Sequence, residues 1–181
     1  MTMVDIITLV FLAAIALALF FPTPSACLKA EALEGLKERY DFATPIKSEM
    51  IEAVNYLEVV IDRQVAKASG ILAFDALMLT VVTIFYAAQE NDLVASADGM
   101  RLVWLIMVAF LGSGSICLVL FRVNIPAKSV LESFERELES SANHIFARSG
   151  HLERAVRLSL LGTCGIAAWV TWLLLIRPLV A

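Results

Sequence analysis

Four stretches of the chain carry at most one charge each, and the polar residues between them fall into segments with helical periodicity. Residues 6–21, IITLVFLAAIALALFF, are uncharged between Asp5 and Pro22; residues 69–88 contain one formal charge, Asp75; residues 102–121 and 158–176 contain none. At about 1.5 Å per residue, twenty helical residues reach roughly 30 Å, the thickness of a bilayer's hydrocarbon core. The first run is slightly short for a span, which places it shallowly or against other helices. The expected fold is an all-α integral membrane protein with four transmembrane helices, at 4–22, 69–88, 102–121 and 158–176.

The polar segments are themselves amphipathic. Leu28, Ala32, Leu33, Leu36 and Tyr40 recur at three- and four-residue steps until Pro45 breaks the pattern. Beyond it Ile46, Met50, Ala53, Leu57 and Val60 share one helical face, with Lys47, Glu49, Glu52, Glu58 and Arg63 on others. No Gly or Pro intervenes before Ser69, so this helix is expected to run unbroken into the second span. In the last polar segment Leu131, Phe134, Leu138, Ala142, Ile145, Leu152 and Val156 keep nearly a heptad spacing, with Ser149 and Gly150 the place for an interruption. The cytoplasmic helices fall in 27–68 and 127–157, and the one from Ile46 to Lys67 is expected to pack antiparallel against 127–157 as a hairpin, two stripes burying each other. The chain then divides into an N-terminal span, 4–22, and a second unit, 26–181.

Composition agrees with this layout. The 181 residues are 60% apolar with a mean hydropathy of +0.80, against roughly 45 to 50% apolar residues in soluble domains. The net charge of −4 says less than its distribution. Segments 23–69 and 122–157 hold six Lys plus Arg each, whereas 89–101 has Arg101 alone and the first five residues have none. By the positive-inside rule both polar segments lie in the cytoplasm and both termini outside, with Arg177 a small dissent. The lack of Lys or Arg in MTMVD argues against a secretory signal peptide.

Reactive chemistry is sparse. No nucleophile elbow, phosphate-cradling loop or metal-ligand spacing occurs; Cys27, Cys117 and Cys164 match no cluster, and His144 and His151 are seven residues apart. The chain therefore reads as a non-enzyme with no cofactor and no metal. Asp75, some 9 to 10 Å into its span from Ser69, is the outlying feature. It is either hydrogen-bonded across a helix interface or lines an aqueous path, since a charge in a span costs roughly 2.5 to 3.5 kcal/mol on insertion scales. Gly112, Ser113, Gly114 and Ser115 in the third span, with Thr80 and Thr83 in the second and Thr163, Cys164 and Gly165 in the fourth, either tighten packing or line a narrow pore. Four helices are few for an internal conduit, so a channel requires a ring of subunits. The cations Arg63, Lys67, Arg122, Arg154 and Arg157 at the membrane edge either fix orientation and touch acidic headgroups or form an anion site.

The run VAKASGILAFDALML, followed by a short outer loop, a further span, a long polar helix and a last span, resembles the transmembrane effector domain of Pycsar-type bacterial anti-phage systems. The match covers residues 46–177. That family's entry sequence reads Asp, any residue, Lys, Ala, Ser, with a polar residue, often Asn, a turn or two later. Lys67, Ala68 and Ser69 are kept, Asp75 stands near the Asn position, and Val65 occupies the place of the family's Asp, with Asp62 the nearest acid. The layout is also similar to the membrane effector of the Hailong system. The resemblance implies a homo-oligomer of the bacterial inner membrane, with four copies as the working number. It would be held closed until a nucleotide or oligonucleotide signal arrives from a nucleotidyltransferase or cyclase encoded nearby. Arg63, Lys67, Arg148, Arg154 and Arg157 are then the ligand contacts expected, and Asp75, Ser113, Ser115, Thr80 and Thr83 the intramembrane polar residues. The alternative is a structural membrane adaptor whose cytoplasmic hairpin docks a partner protein. A transporter is disfavoured by size and by the lack of an inverted repeat.

Overall fold

The computed structural model describes residues 3–21, 47–88, 97–121 and 134–171. The described residues form four α-helices and no strand: α1 (Met3–Phe20), α2 (Lys47–Ala88), α3 (Ala97–Leu120) and α4 (Phe134–Thr171). Two of them, α2 and α3, are long and apolar enough to cross a membrane, whereas the apolar part of α1 is shorter. In α2 only 17% of the apolar window is buried. Most of that window therefore lies on the surface of the chain, unlike the central helix of a soluble bundle, which would be mostly covered.

α2 passes from the charged segment into the uncharged one without a break, 42 residues or about 63 Å, as the lack of Gly and Pro before Ser69 dictates. α4 is equally continuous over 38 residues and runs straight through Ser149 and Gly150, where an interruption was expected. Helical Ser and Gly cost only about 0.5 to 1 kcal/mol each, which packing against α2 offsets. The expected helix from 27 to 46, the start of the polar segment at 122–133 and the end of the last span at 172–176 lie outside the described residues.

The pairing of the polar segments corrects the sequence reading. Gln64 of α2 meets Ile145 and Ser149 of α4, and further along both helices Asp75 meets Ser159. Contacts that advance together mean that α2 and α4 are parallel, not an antiparallel hairpin. Topology requires this: α3 returns the chain to its starting side, so both polar segments head into the apolar layer in the same direction. α3 runs against both, with Leu120 near Arg148, Ser113 near Ala155 and Phe110 near Gly162.

The interior of α2 follows a seven-residue step, with Leu57 and Gln64 buried in one series and Ala68, Asp75 and Val82 in the next. A step near 3.5 residues per turn keeps one seam facing a parallel neighbour over a long distance. On α4 the matching seam uses Ala142, Ile145, Ala155, Leu158 and Ser159; Val156, assigned to the stripe from its spacing, is turned outward instead. Two apolar layers result. One joins Val82, Val103, Ile106, Phe110 and Trp169, with Phe85 set edge-on to Trp169 at 6.5 Å. The other joins Ala68, Cys117, Leu120 and Ala155. α1 packs on α3 and α4, with the Phe11 ring beside Gly165. Around these layers the exterior is apolar: Leu77, Ile84, Trp104, Leu111, Leu118 and Leu160 are all more than half exposed.

Candidate functional site

Between the two apolar layers lies a polar one. Asp75 falls between Ala68 and Val82 on α2, Ser113 between Phe110 and Cys117 on α3, and Ser159 between Ala155 and Trp169 on α4. Asp75 is 2% exposed. Its Oδ1 accepts the Ser159 hydroxyl at 2.6 Å, while its Oδ2 is buried and meets no donor. One turn back along α4, the Ser113 hydroxyl donates to the Ala155 carbonyl at 2.9 Å. That carbonyl already serves its own helix, so Ser113 takes up a spare lone pair and ties α3 to α4 without breaking either helix. Of the two readings of Asp75, the helix-interface bond is present, and it leaves half of the carboxyl group unmatched. A buried polar atom without a partner costs about 1 to 3 kcal/mol, which makes Oδ2 the atom in this layer with most to gain from a new neighbour.

The remaining intramembrane candidates are placed elsewhere. Thr80, Thr83 and Ser115 are exposed on the outer surface, and each hydroxyl donates to the carbonyl four residues back, of Ala76, Leu79 and Leu111 respectively. Thr163 does the same to Ser159. Such hydroxyls are satisfied within their own helix and need no aqueous path. The structure thus brings Asp75 and Ser113 together and turns Thr80, Thr83 and Ser115 outward. Gly112 and Gly114 lie against Leu158 and Leu72, where a Cβ would sit at 3.4 Å, so the small-residue cluster packs the three-helix junction.

The cations likewise separate into two groups. Arg148 donates to the carbonyl of Leu120, the last residue of α3. Arg157 donates to the carbonyl of Phe21, just past α1, at 3.4 Å and pairs with Glu153 at 2.8 Å. Both sit where unsatisfied carbonyls give a helix its partial negative charge, and each joins α4 to the end of a neighbouring helix. Arg154 is half-buried, with its Nε enclosed and without a partner. Arg63 and Lys67, by contrast, are exposed on α2. Arg122 lies outside the described residues, and no group of three or more His, Cys, Asp or Glu residues able to hold a metal occurs among the described ones.

Gln64 is the residue that sequence reasoning passed over. Its Nε2 donates to the Ile145 carbonyl at 3.1 Å and to Ser149 Oγ at 2.7 Å, and it is 7% exposed. Its signal was available: a polar residue at the seventh position after Leu57, on the apolar face. Gln64 and Asp75 form two polar rungs about 16 Å apart along α2, with the Ala68–Ala155 seam between them. Gln64→Leu is expected to lower the unfolding free energy by about 1 kcal/mol, read by thermal unfolding in detergent. Ser149→Ala in that background should add little.

In comparisons with known proteins, no family model matches the chain, and no curated protein or solved structure matches it.

Proposed function

We propose that the chain is a membrane effector of bacterial antiviral defence, whose copies assemble in the inner membrane and open an ion-conducting path when an anionic nucleotide or oligonucleotide binds the polar ends of α2 and α4. All four helices cross the bilayer in this reading. Asp5 lies beside Arg101 at one end of α1 and the Phe21 carbonyl beside Arg157 at the other, so α1 covers the same layer as α3. The positive-inside distribution then puts the polar segments in the cytoplasm. The signal comes from a partner nucleotidyltransferase or cyclase, as the resemblance of VAKASGILAFDALML to Pycsar-type effectors implies.

One observation carries the reading. α2 is a single rigid helix from the exposed Arg63 and Lys67 to the buried Asp75–Ser159 pair, so a displacement at its charged end reaches the polar layer with no hinge between. From Lys67 to Asp75 is about 12 Å along the axis. The outward hydroxyls Thr80, Thr83 and Ser115 and the apolar exterior fit a path formed between copies, not inside one. Ligand must favour the open assembly by several kcal/mol, because equal affinity for both states shifts nothing.

The test is ion flux from liposomes holding the purified chain, with a panel of cyclic and linear oligonucleotides added on the polar-segment side. Flux appearing with one member, and lost in Arg63→Glu, is the expected result; silence across the panel, or equal leak without ligand, removes the reading. An adaptor that docks a partner protein is favoured by Tyr56 and Val59, 50% and 47% exposed on the polar part of α2. It predicts that partner capture survives Asp75→Asn.

A further inference from the structure

Outside the polar layer, α2 and α4 diverge from their alanine seam and leave an open groove of about 440 Å3. Lys67, Gly70 and Phe74 line it from α2, and Val156, Ser159 and Leu160 from α4. Gly70 contributes to its width, since a Cβ there would meet nothing within 4 Å. The wall is apolar, and the hydroxyl of Ser159 is already committed to Asp75. Lys67 is the one charged side chain in the lining, and no acid joins it. Arg63 stands one turn before it on α2 and is also exposed.

This arrangement is amphipathic along its length. The cation sits at the point where the highly charged part of α2 ends and the apolar run from Ser69 begins, and Phe74 lies about 10 Å further along. We propose that the groove holds an acyl chain of an anionic phospholipid, with the headgroup phosphate on Lys67 and Arg63. The proposal rests on the membrane placement of α2 and not on the nucleotide signal. Charge complementarity selects this occupant. A nucleotide would bring no apolar tail for the part between Ile71 and Leu160. A second copy could meet Lys67 only with an acid from its polar ends, such as the exposed Glu58 or Asp62 of α2, because residues 6–20, 102–120 and 158–171 carry none, whereas a lipid supplies phosphate and apolar tail in one molecule. A long lysine stem over an apolar wall with its ammonium at headgroup depth is the ordinary snorkelling geometry, and juxtamembrane cations attract acidic headgroups by about 1 kcal/mol each.

The full chain, purified in detergent, would be titrated with phosphatidylglycerol and with phosphatidylcholine and followed by native mass spectrometry. One phosphatidylglycerol should be retained in preference to phosphatidylcholine, and glycerol phosphate, which lacks the chain, should not displace it. Lys67→Gln should remove the headgroup preference, and Gly70→Leu, by filling the groove, should weaken both lipids about tenfold. Equal retention of phosphatidylglycerol by parent and both variants overturns the proposal. So does a loss of self-association in Gly70→Leu with lipid retention unchanged, which would make the groove an interface between copies. If Gly70→Leu fails to fold, Lys67→Gln decides the matter alone.

Discussion

Replacing Ser159 with alanine should destabilise the folded chain by about 1 to 2 kcal/mol, whereas replacing Asp75 with leucine and Ser159 with alanine together should leave it near the parent's stability. The single change strips Oδ1 of its donor and leaves both carboxyl oxygens buried without partners, since Oδ2 already has none. The double change removes the polar demand altogether and fills the space with carbon, and such paired replacement is nearly neutral or stabilising. Asp75→Leu alone should fall between. The freed Ser159 hydroxyl would turn to the Ala155 carbonyl four residues back, but the Ser113 hydroxyl is already bound there. The coupling energy from the cycle is then the sum of the two single effects, about 1 to 3 kcal/mol. Thermal unfolding in a fixed detergent reads it. The same variants separate a structural from a functional polar layer. If Asp75 only sets helix register, ligand-triggered flux per folded molecule is unchanged in the double variant; if it belongs to the opening path, flux is lost while the protein remains folded.

The helices were legible because chain physics alone determines them. The run from Lys47 to Ala88 holds no Pro and only one Gly, Gly70, which a helix interior tolerates at a cost of about 1 kcal/mol. The pairing was less accessible. Periodicity shows that Leu57 and Ile145 sit on buried faces, but two stripes pack equally well parallel or antiparallel in isolation; the direction follows only when the reversal at α3 is counted. Partnering was harder still. Arg148 and Arg157 look like ligand cations in a sequence, since a guanidinium near a membrane edge has the same spelling whether it meets a phosphate or a helix end. Here they meet the carbonyls of Leu120 and Phe21, contacts between residues 28 and 136 positions apart. Asp75 stands out in the sequence because an acid in an apolar run must be accounted for. Its partner Ser159 does not, because one serine in an apolar run carries no mark that distinguishes it from Thr163 or Ser113. The outward placement of Thr80, Thr83 and Ser115 was equally hidden, because their bonds to the carbonyls four residues back are local and satisfy them on any face of a helix.

Gly162→Ala should be among the most damaging single-carbon additions to this chain, lowering stability by about 1 to 3 kcal/mol. α3 and α4 are in close contact where the Phe110 ring lies across Gly162. A methyl group at that position would stand 2.7 Å from Cζ and 2.8 Å from Cε2 of the ring, well inside van der Waals contact. The ring tip would ordinarily swing aside. Phe110 is fully buried among Val82, Val103, Ile106 and Trp169, so it has no free volume to enter, and close-packed interiors transmit such strain to the backbone. The helices must separate, which also loosens the layer against which the Asp75–Ser159 pair is clamped. Gly165→Ala should follow the same logic at the α1 contact, with Ile106 Cγ1 at 2.9 Å and the Phe11 ring at 3.1 Å. Gly70→Ala provides the control, because its added carbon points into open space and should stabilise the helix by about 0.5 to 1 kcal/mol. Phe110→Leu is destabilising alone through the cavity it leaves, but combined with Gly162→Ala it restores room for the methyl group. The pair should therefore be more stable than the sum of the single changes, a coupling of opposite sign to mere weakening. Strict additivity would mean that the ring and the glycine do not touch in the folded state, and that the closeness of α3 and α4 rests on other residues.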